Sequence, residues 1–217
     1  MRIVIVGQQW LGAQALQLCL RRGDDVLKVL APGANDSEEY DRLYAAAMQK
    51  GVPVEVCPRR VEAGHIPPGT DLILAAHAHA FISAGARQAA RYGALGYHPS
   101  LLPRHRGRDA VRWALHMGDP MTGGTAYWMD DGADTGPIAA QDWCWVRPDD
   151  TPQTLWRRKL APMGLRLLSA VLADLDAGRV PSCPQDESAA TWEPAFGSRL
   201  LSGQRLADSA IPLQSVQ

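Results

Sequence analysis

Arg2-Ile3-Val4-Ile5-Val6-Gly7, followed by Gln8-Gln9-Trp10-Leu11-Gly12, opens the chain on an unbroken β-branched run that stops at a glycine. Apolar residues at consecutive positions, rather than at alternate ones, mark a strand buried on both faces, the habit of a central strand in a parallel sheet. Residues Leu11 to Arg22 then carry helical periodicity, and Gly23 supplies the stop. Together these make one βα unit. The loop between them is neither Gly-x-Gly-x-x-Gly nor Gly-x-x-x-x-Gly-Lys-Ser/Thr, so it reads as a structural turn rather than a dinucleotide or phosphate cradle.

Working outward, the same alternation repeats. Val26 to Ala31 predicts a second strand, Ser37 to Lys50 a helix, Val52 to Cys57 a third strand, and Asp71 to Ala76 another buried one after an irregular Gly- and Pro-rich stretch from Arg59 to Thr70. A helix to about Arg91 and the strand Ala94 to His98 follow, then a helix from Asp109 to Met117 with Asp109 as its cap. Gly124 to Met129 and Ile138 to Val146 read as an antiparallel excursion, and Thr151 to Ala177 as one long packing helix. Strands alternating with helices predict an α/β fold: a Rossmann-like, mostly parallel sheet with helices on both faces. Ligands of such sheets settle beyond the carboxyl ends of the strands, which draws attention to His77-Ala78-His79-Ala80-Phe81-Ile82 after Asp71 to Ala76. His77 and His79 are spaced to face one way from an extended chain. Without a nearby Cys pair or a His-Glu-x-x-His they read as pocket lining or strand-end partners, and no metal is expected.

At 217 residues the chain supports one core: a single domain over residues 1–195 and a tail over 196–217, where the apolar pattern fades. A net charge of -1 offers no field for collecting nucleic acid. The four cysteines are widely spaced and read as reduced packing residues of a cytoplasmic protein, and the first residues run straight into a strand, with neither leader nor membrane span. Oligomeric state is not legible.

The chemistry concentrates at Gly96-Tyr97-His98-Pro99-Ser100-Leu101-Leu102-Pro103-Arg104-His105-Arg106-Gly107, with Asp130-Asp131-Gly132-Ala133-Asp134-Thr135-Gly136 downstream. His98 ends a strand and is stiffened by the proline after it. Asp134 sits in a turn-rich loop between two apolar strands. If the loops meet, an imidazole and a carboxylate stand together, able to stabilise an oxyanion and move a proton. Arg104, Arg106 and Arg108 read as solvated loop charges.

These two motifs resemble those of the folate-dependent formyltransferase family: His-Pro-Ser-Leu-Leu-Pro with a following glycine, then Asp-x-Gly-x-Asp-Thr-Gly. The likeness is strongest to the amino-terminal hydrolase domain of 10-formyltetrahydrofolate dehydrogenase, through Tyr97 to Gly107, Val6-Gly7-Gln8, Phe81-Ile82, Thr154-Leu155 and Pro162, and it runs from Arg2 to about Glu193. The resemblance implies the Rossmann-like fold, 10-formyltetrahydrofolate as one-carbon donor, and catalysis by His98 and Asp134. It places the folate against Ala80, Phe81, Ile82, Gly96, Asp130 and Ala133.

One departure matters. Amino-group formyltransferases of this family carry asparagine two residues before the histidine, where this chain has Gly96. Losing such an oxyanion donor costs about 3–4 kcal/mol of transition-state stabilisation. The expected activity is formyl transfer to a small amine, with hydrolysis of the donor or folate binding without turnover as alternatives. At 217 residues and near-neutral charge the chain is expected to carry neither the carboxyl-terminal domain with which methionyl-tRNA formyltransferases grip tRNA nor an aldehyde dehydrogenase domain.

Overall fold

The computed structural model describes residues 1–196. Its sheet starts from β1 (Arg2–Gly7), which pairs in parallel with β2 (Asp25–Ala31) on one side and β5 (Leu72–Ala76) on the other. Beyond β2 lies β3 (Val54–Val56), and beyond β5 lies β7 (Ala94–His98), both parallel. The antiparallel pair β8 (Met121–Trp128) and β9 (Ile138–Trp145) completes the order β3-β2-β1-β5-β7-β8-β9. The expected α/β, mostly parallel sheet and its antiparallel excursion are both present. A two-residue ribbon pairs β4 (Arg60–Val61), at the start of the stretch expected to be irregular, with β6 (Phe81–Ile82) after β5.

The alternation of side chains along each strand divides the core in two. Ile3, Ile5, Leu72, Leu74, Leu95 and Tyr97 pack on one face beneath α1 (Gln9–Arg22) and α6 (Ala161–Asp176), whereas Val4, Val6, Leu30, Ile73 and Ala75 pack on the other with Ile82, Ala86 and Ala90. Hence the run Ile3-Val4-Ile5-Val6 is apolar throughout: both faces are covered. The two buried cysteines, Cys19 and Cys144, belong to the first core, and all four cysteines are free.

Some boundaries differ from expectation, each for a local reason. The helix expected from Ser37 is α2 (Arg42–Gln49). Asn35 instead folds residues 35–39 into a turn by accepting the Ser37 and Glu39 N–H groups, and Asp41 caps the helix through the Leu43 N–H. The helix before β7 is short, α3 (Ala84–Gln88), capped by Ser83. The long helix divides into α5 (Pro152–Leu155), a wide π-turn over Trp156–Leu160, and α6. Pro162, lacking an N–H, cannot close the regular bond to residue 158, so the ladder widens just before it. The Leu160 carbonyl at this turn accepts the Tyr97 hydroxyl at 2.7 Å, pinning β7 to the helix from below. Asp109 stands at the start of α4 (Ala110–His116) but does not cap it: at φ 63° its carboxylate accepts the Phe196 N–H. Of the tail expected over 196–217, only Phe196 is described, and 197–217 lie outside the described residues.

Candidate active site

Antiparallel partners share a face, so the registers Gly96↔Tyr127 and His98↔Thr125 put these four residues together on the face of the sheet away from Tyr97 and α6. His98 is buried. Its Nε2 lies 2.7 Å from the His105 carbonyl, which only accepts, so Nε2 carries a proton. That bond fixes the ring and turns Nδ1 toward Asp134, whose Oδ2 is 3.5 Å away. The gap is wide for a hydrogen bond, and close enough for charge attraction whenever the ring carries a second proton. The sequence motifs therefore meet as expected.

Asp134 is held at φ 59°, in the left-handed region. Its Oδ2 accepts the Gly107 N–H at 2.8 Å and its Oδ1 accepts the Tyr127 hydroxyl at 2.6 Å. Burial, reinforced by the charge of Asp134, pushes the Tyr127 phenol far above its ordinary value, so it remains a donor. The other left-handed non-glycine residues are Gln9 at the start of α1, Glu38 in the turn before α2, His77 after β5, and His105 and Asp109 after β7. Backbone of this kind costs of order 1–3 kcal/mol per residue and persists where the surroundings enforce it, commonly at functional sites.

Beneath the site the loop after β7 is braced from within. Thr125 donates to the Ser100 carbonyl and accepts the Leu102 N–H, and Ser100 donates to the Arg104 carbonyl. The His105 ring is buried between Asp119 and Glu193, with Nε2 2.8 Å from Asp119 Oδ2 and Nδ1 3.2 Å from Glu193 Oε2. Burial pushes the Asp119 carboxyl up, but hydrogen bonds from Arg104 and His105 outweigh it and hold the group below its ordinary value.

Of the loop arginines, Arg106 corrects the expectation of solvated charges, whereas Arg104 and Arg108 are exposed as expected. Arg104 pairs with Asp119, and Arg106, with only 8% of its side chain exposed, grips Glu187 and the Gln185 side-chain oxygen. Gln185 in turn donates to the Asp134 and Gly136 carbonyls at 2.9 and 2.7 Å. Sequence reasoning missed Tyr127, Gln185 and Glu193. Tyr127 reads as one more aromatic in a strand, and the other two lie in a polar, Pro-rich stretch without periodicity.

The remaining expected contacts divide. A cleft of about 360 Å³ lies past the carboxyl ends of β1, β2, β3 and β5, lined by Gln8, Pro32, Cys57, Arg59, His79 and Ala80 among others. Ala80 is thus on a cavity wall. Phe81 is exposed under the Arg60 guanidinium, and its N–H is taken by the Arg59 carbonyl. Ile82 is buried in the core, its carbonyl engaged by Arg87. Asp130 is occupied within its own loop by Gly132 N–H and Thr135 hydroxyl, Ala133 is exposed, and Gly96 is covered by Tyr127 and Met129. His77, at φ 60°, is not on extended chain. Burial lowers both His77 and His79, helped by His79 in the first case and Arg108 in the second. Among the described residues no three His, Cys, Asp or Glu side chains gather as a metal site. No helix among them is long and apolar enough to cross a membrane.

A family model described as formyl transferase matches residues 46–172, more than half of the chain and both motifs. The chain belongs to the formyl transferase family. It is 34% identical to mouse (Mus musculus) mitochondrial 10-formyltetrahydrofolate dehydrogenase over 202 residues, which is 89% of this chain and 22% of that protein. The chain thus spans about a fifth of the curated dehydrogenases it matches. This formyl transferase also superposes on solved structures: phosphoribosylglycinamide formyltransferase from Bacillus halodurans, at a TM-score of 0.67 and 22% identity, covering 81% of this chain and 95% of that one. An N-formyltransferase from Helicobacter canadensis, solved with folinic acid and dTDP-3-aminofucose, gives 0.71 at 15% identity over 88% and 70%. These structures share the Rossmann-like fold the sequence resemblance implied.

Proposed function

We propose that this formyl transferase moves the formyl group of 10-formyltetrahydrofolate to a small amine, with His98 and Asp134 as its catalytic residues. The supporting observation is the couple itself: an imidazole locked through Nε2, its Nδ1 directed at a carboxylate 3.5 Å away, on the loops that carry the family motifs.

In this reading the amine nitrogen attacks the formyl carbon, and the carbonyl electrons move onto oxygen. The Nδ1–H of His98 donates to that oxyanion while Asp134 keeps the ring's charge balanced. Asp134 accepts the proton released by the attacking nitrogen. When the oxyanion collapses, the bond to folate nitrogen breaks and that nitrogen takes up the proton, leaving a formylated amine and tetrahydrofolate. Similarity to a dehydrogenase named for 10-formyltetrahydrofolate, and to a fold neighbour solved with folinic acid, supports the donor.

One observation favours water as acceptor instead. A Cβ at residue 96 would stand 3.0 Å from the Tyr127 ring and 3.3 Å from Met129, so the wall beside His98 is closed and carries no side-chain amide to share the oxyanion. The test is to incubate the protein with 10-formyltetrahydrofolate alone and then with a panel of small amines and amino sugars, following tetrahydrofolate and formate. Turnover that waits for an amine supports transfer. Stoichiometric formate from the donor alone supports hydrolysis, and folate retention without turnover under either condition defeats both.

A further inference from the structure

Tyr127 faces Gly96 across the β7–β8 pair, with its ring against bare backbone. A Cβ there would come within 3.0 Å of Cε1 and 3.3 Å of Cζ, so a side chain at 96 requires the ring to give way by a few tenths of an ångström. From this position the hydroxyl reaches Asp134 Oδ1 at 2.6 Å while the Gly107 N–H holds Oδ2 at 2.8 Å. Each carboxylate oxygen thus has a donor from a different element, and the plane of the group is fixed with Oδ2 toward His98 Nδ1. Ring packing alone would be served equally by phenylalanine. The hydroxyl is accounted for by Asp134.

We propose that Tyr127 is a positioning residue for the reaction: its hydroxyl, within reach because residue 96 has no side chain, holds the Asp134 carboxylate in the orientation that faces His98. The proposal rests on the formyl-transfer reading of the couple and adds that Gly96 and Tyr127 work as one unit. Adding bulk at 96 and deleting the hydroxyl at 127 disable the same bond, so their effects do not multiply.

The experiment compares Tyr127→Phe, Gly96→Ala and the double variant in steady-state kinetics, alongside backbone amide exchange at Gly107. Each single variant is expected to lower kcat about tenfold with KM for the folate within about twofold, and the double variant to lose about tenfold rather than a hundredfold. Tyr127→Phe is also expected to speed exchange of the Gly107 amide, because the released carboxylate no longer holds it. Unchanged kcat in Tyr127→Phe, full multiplication in the double variant, or unaltered Gly107 exchange in a folded Tyr127→Phe protein each overturns the proposal. Gly107 exchange is read without substrate, so it decides the positioning role even if wild-type protein turns over no formyl donor, an outcome that would defeat the formyl-transfer reading instead.

Discussion

His98 has one ring nitrogen committed to structure and one left for the proposed chemistry, and this asymmetry gives its replacement a defined signature. With Nε2 bound to the His105 carbonyl, His98→Ala removes both the Nδ1 donor and the anchor of that carbonyl. Turnover is expected to fall at least a hundredfold, the usual cost of one oxyanion donor. Asp134→Asn keeps a neutral group of the same shape but cannot accept a proton, and is expected to lose about two to four orders of magnitude. Near-normal rates in either variant, with circular dichroism unchanged, would remove that residue from the mechanism. Both residues were legible in the sequence because a pre-proline histidine and an Asp in a turn motif announce positioned polar groups. Tyr127 was not: in a β-strand an aromatic has an ordinary packing role, and its hydroxyl acquires meaning only from what the Asp134 loop brings opposite it.

Among the elements, those with a repeating pattern were readable. The consecutive apolar positions of β1 and β5 and the spacing of leucines along α6 follow from which faces are covered, and the structure keeps them. Boundaries set by side-chain bonds were not: Asn35 and Asp41 decide where α2 starts, and Pro162 decides where the long helix widens. The loop after β7 illustrates such bonding at its most concentrated, since Asp119 accepts from both Arg104 and His105. Its folded carboxyl titrates below the ordinary value, so the stability it contributes is present above about pH 4 and is lost as pH falls through the lower folded value. Asp119→Asn should lower Tm near neutrality by roughly 4–8 °C, from about 2 kcal/mol at about 2–4 °C per kcal/mol. The gap between variant and wild type should close in acid. A gap that persists unchanged once acid has protonated the folded carboxyl would mean Asp119 contributes through packing rather than charge.

On the scale of the whole molecule, the last described segment completes the site rather than trailing from it. The Ile138–Cys183 bridge, the Trp128 indole on the Pro181 carbonyl and the Trp113 indole on the Pro194 carbonyl stitch residues 181–194 across the far end of the sheet. Nothing in this polar stretch signals that in sequence, because its partners lie dozens of residues away and its bonds follow no period. Gln185 carries the consequence. Its oxygen accepts from Arg106 and its amide donates to the carbonyls of Asp134 and Gly136, joining the loops that carry His98 and Asp134 through one side chain. Gln185→Ala should reduce kcat about tenfold or more, at about 1 kcal/mol for each hydrogen bond no longer made. Gln185→Glu separates the two roles. A carboxylate still receives Arg106, so the segment stays anchored, but it opposes two carbonyl oxygens to which it can donate nothing. The Glu variant is therefore expected to keep wild-type resistance to proteolysis over residues 181–194 while losing as much activity as the Ala variant. Full activity in Gln185→Glu would show that the Arg106 anchor alone sets the Asp134 loop.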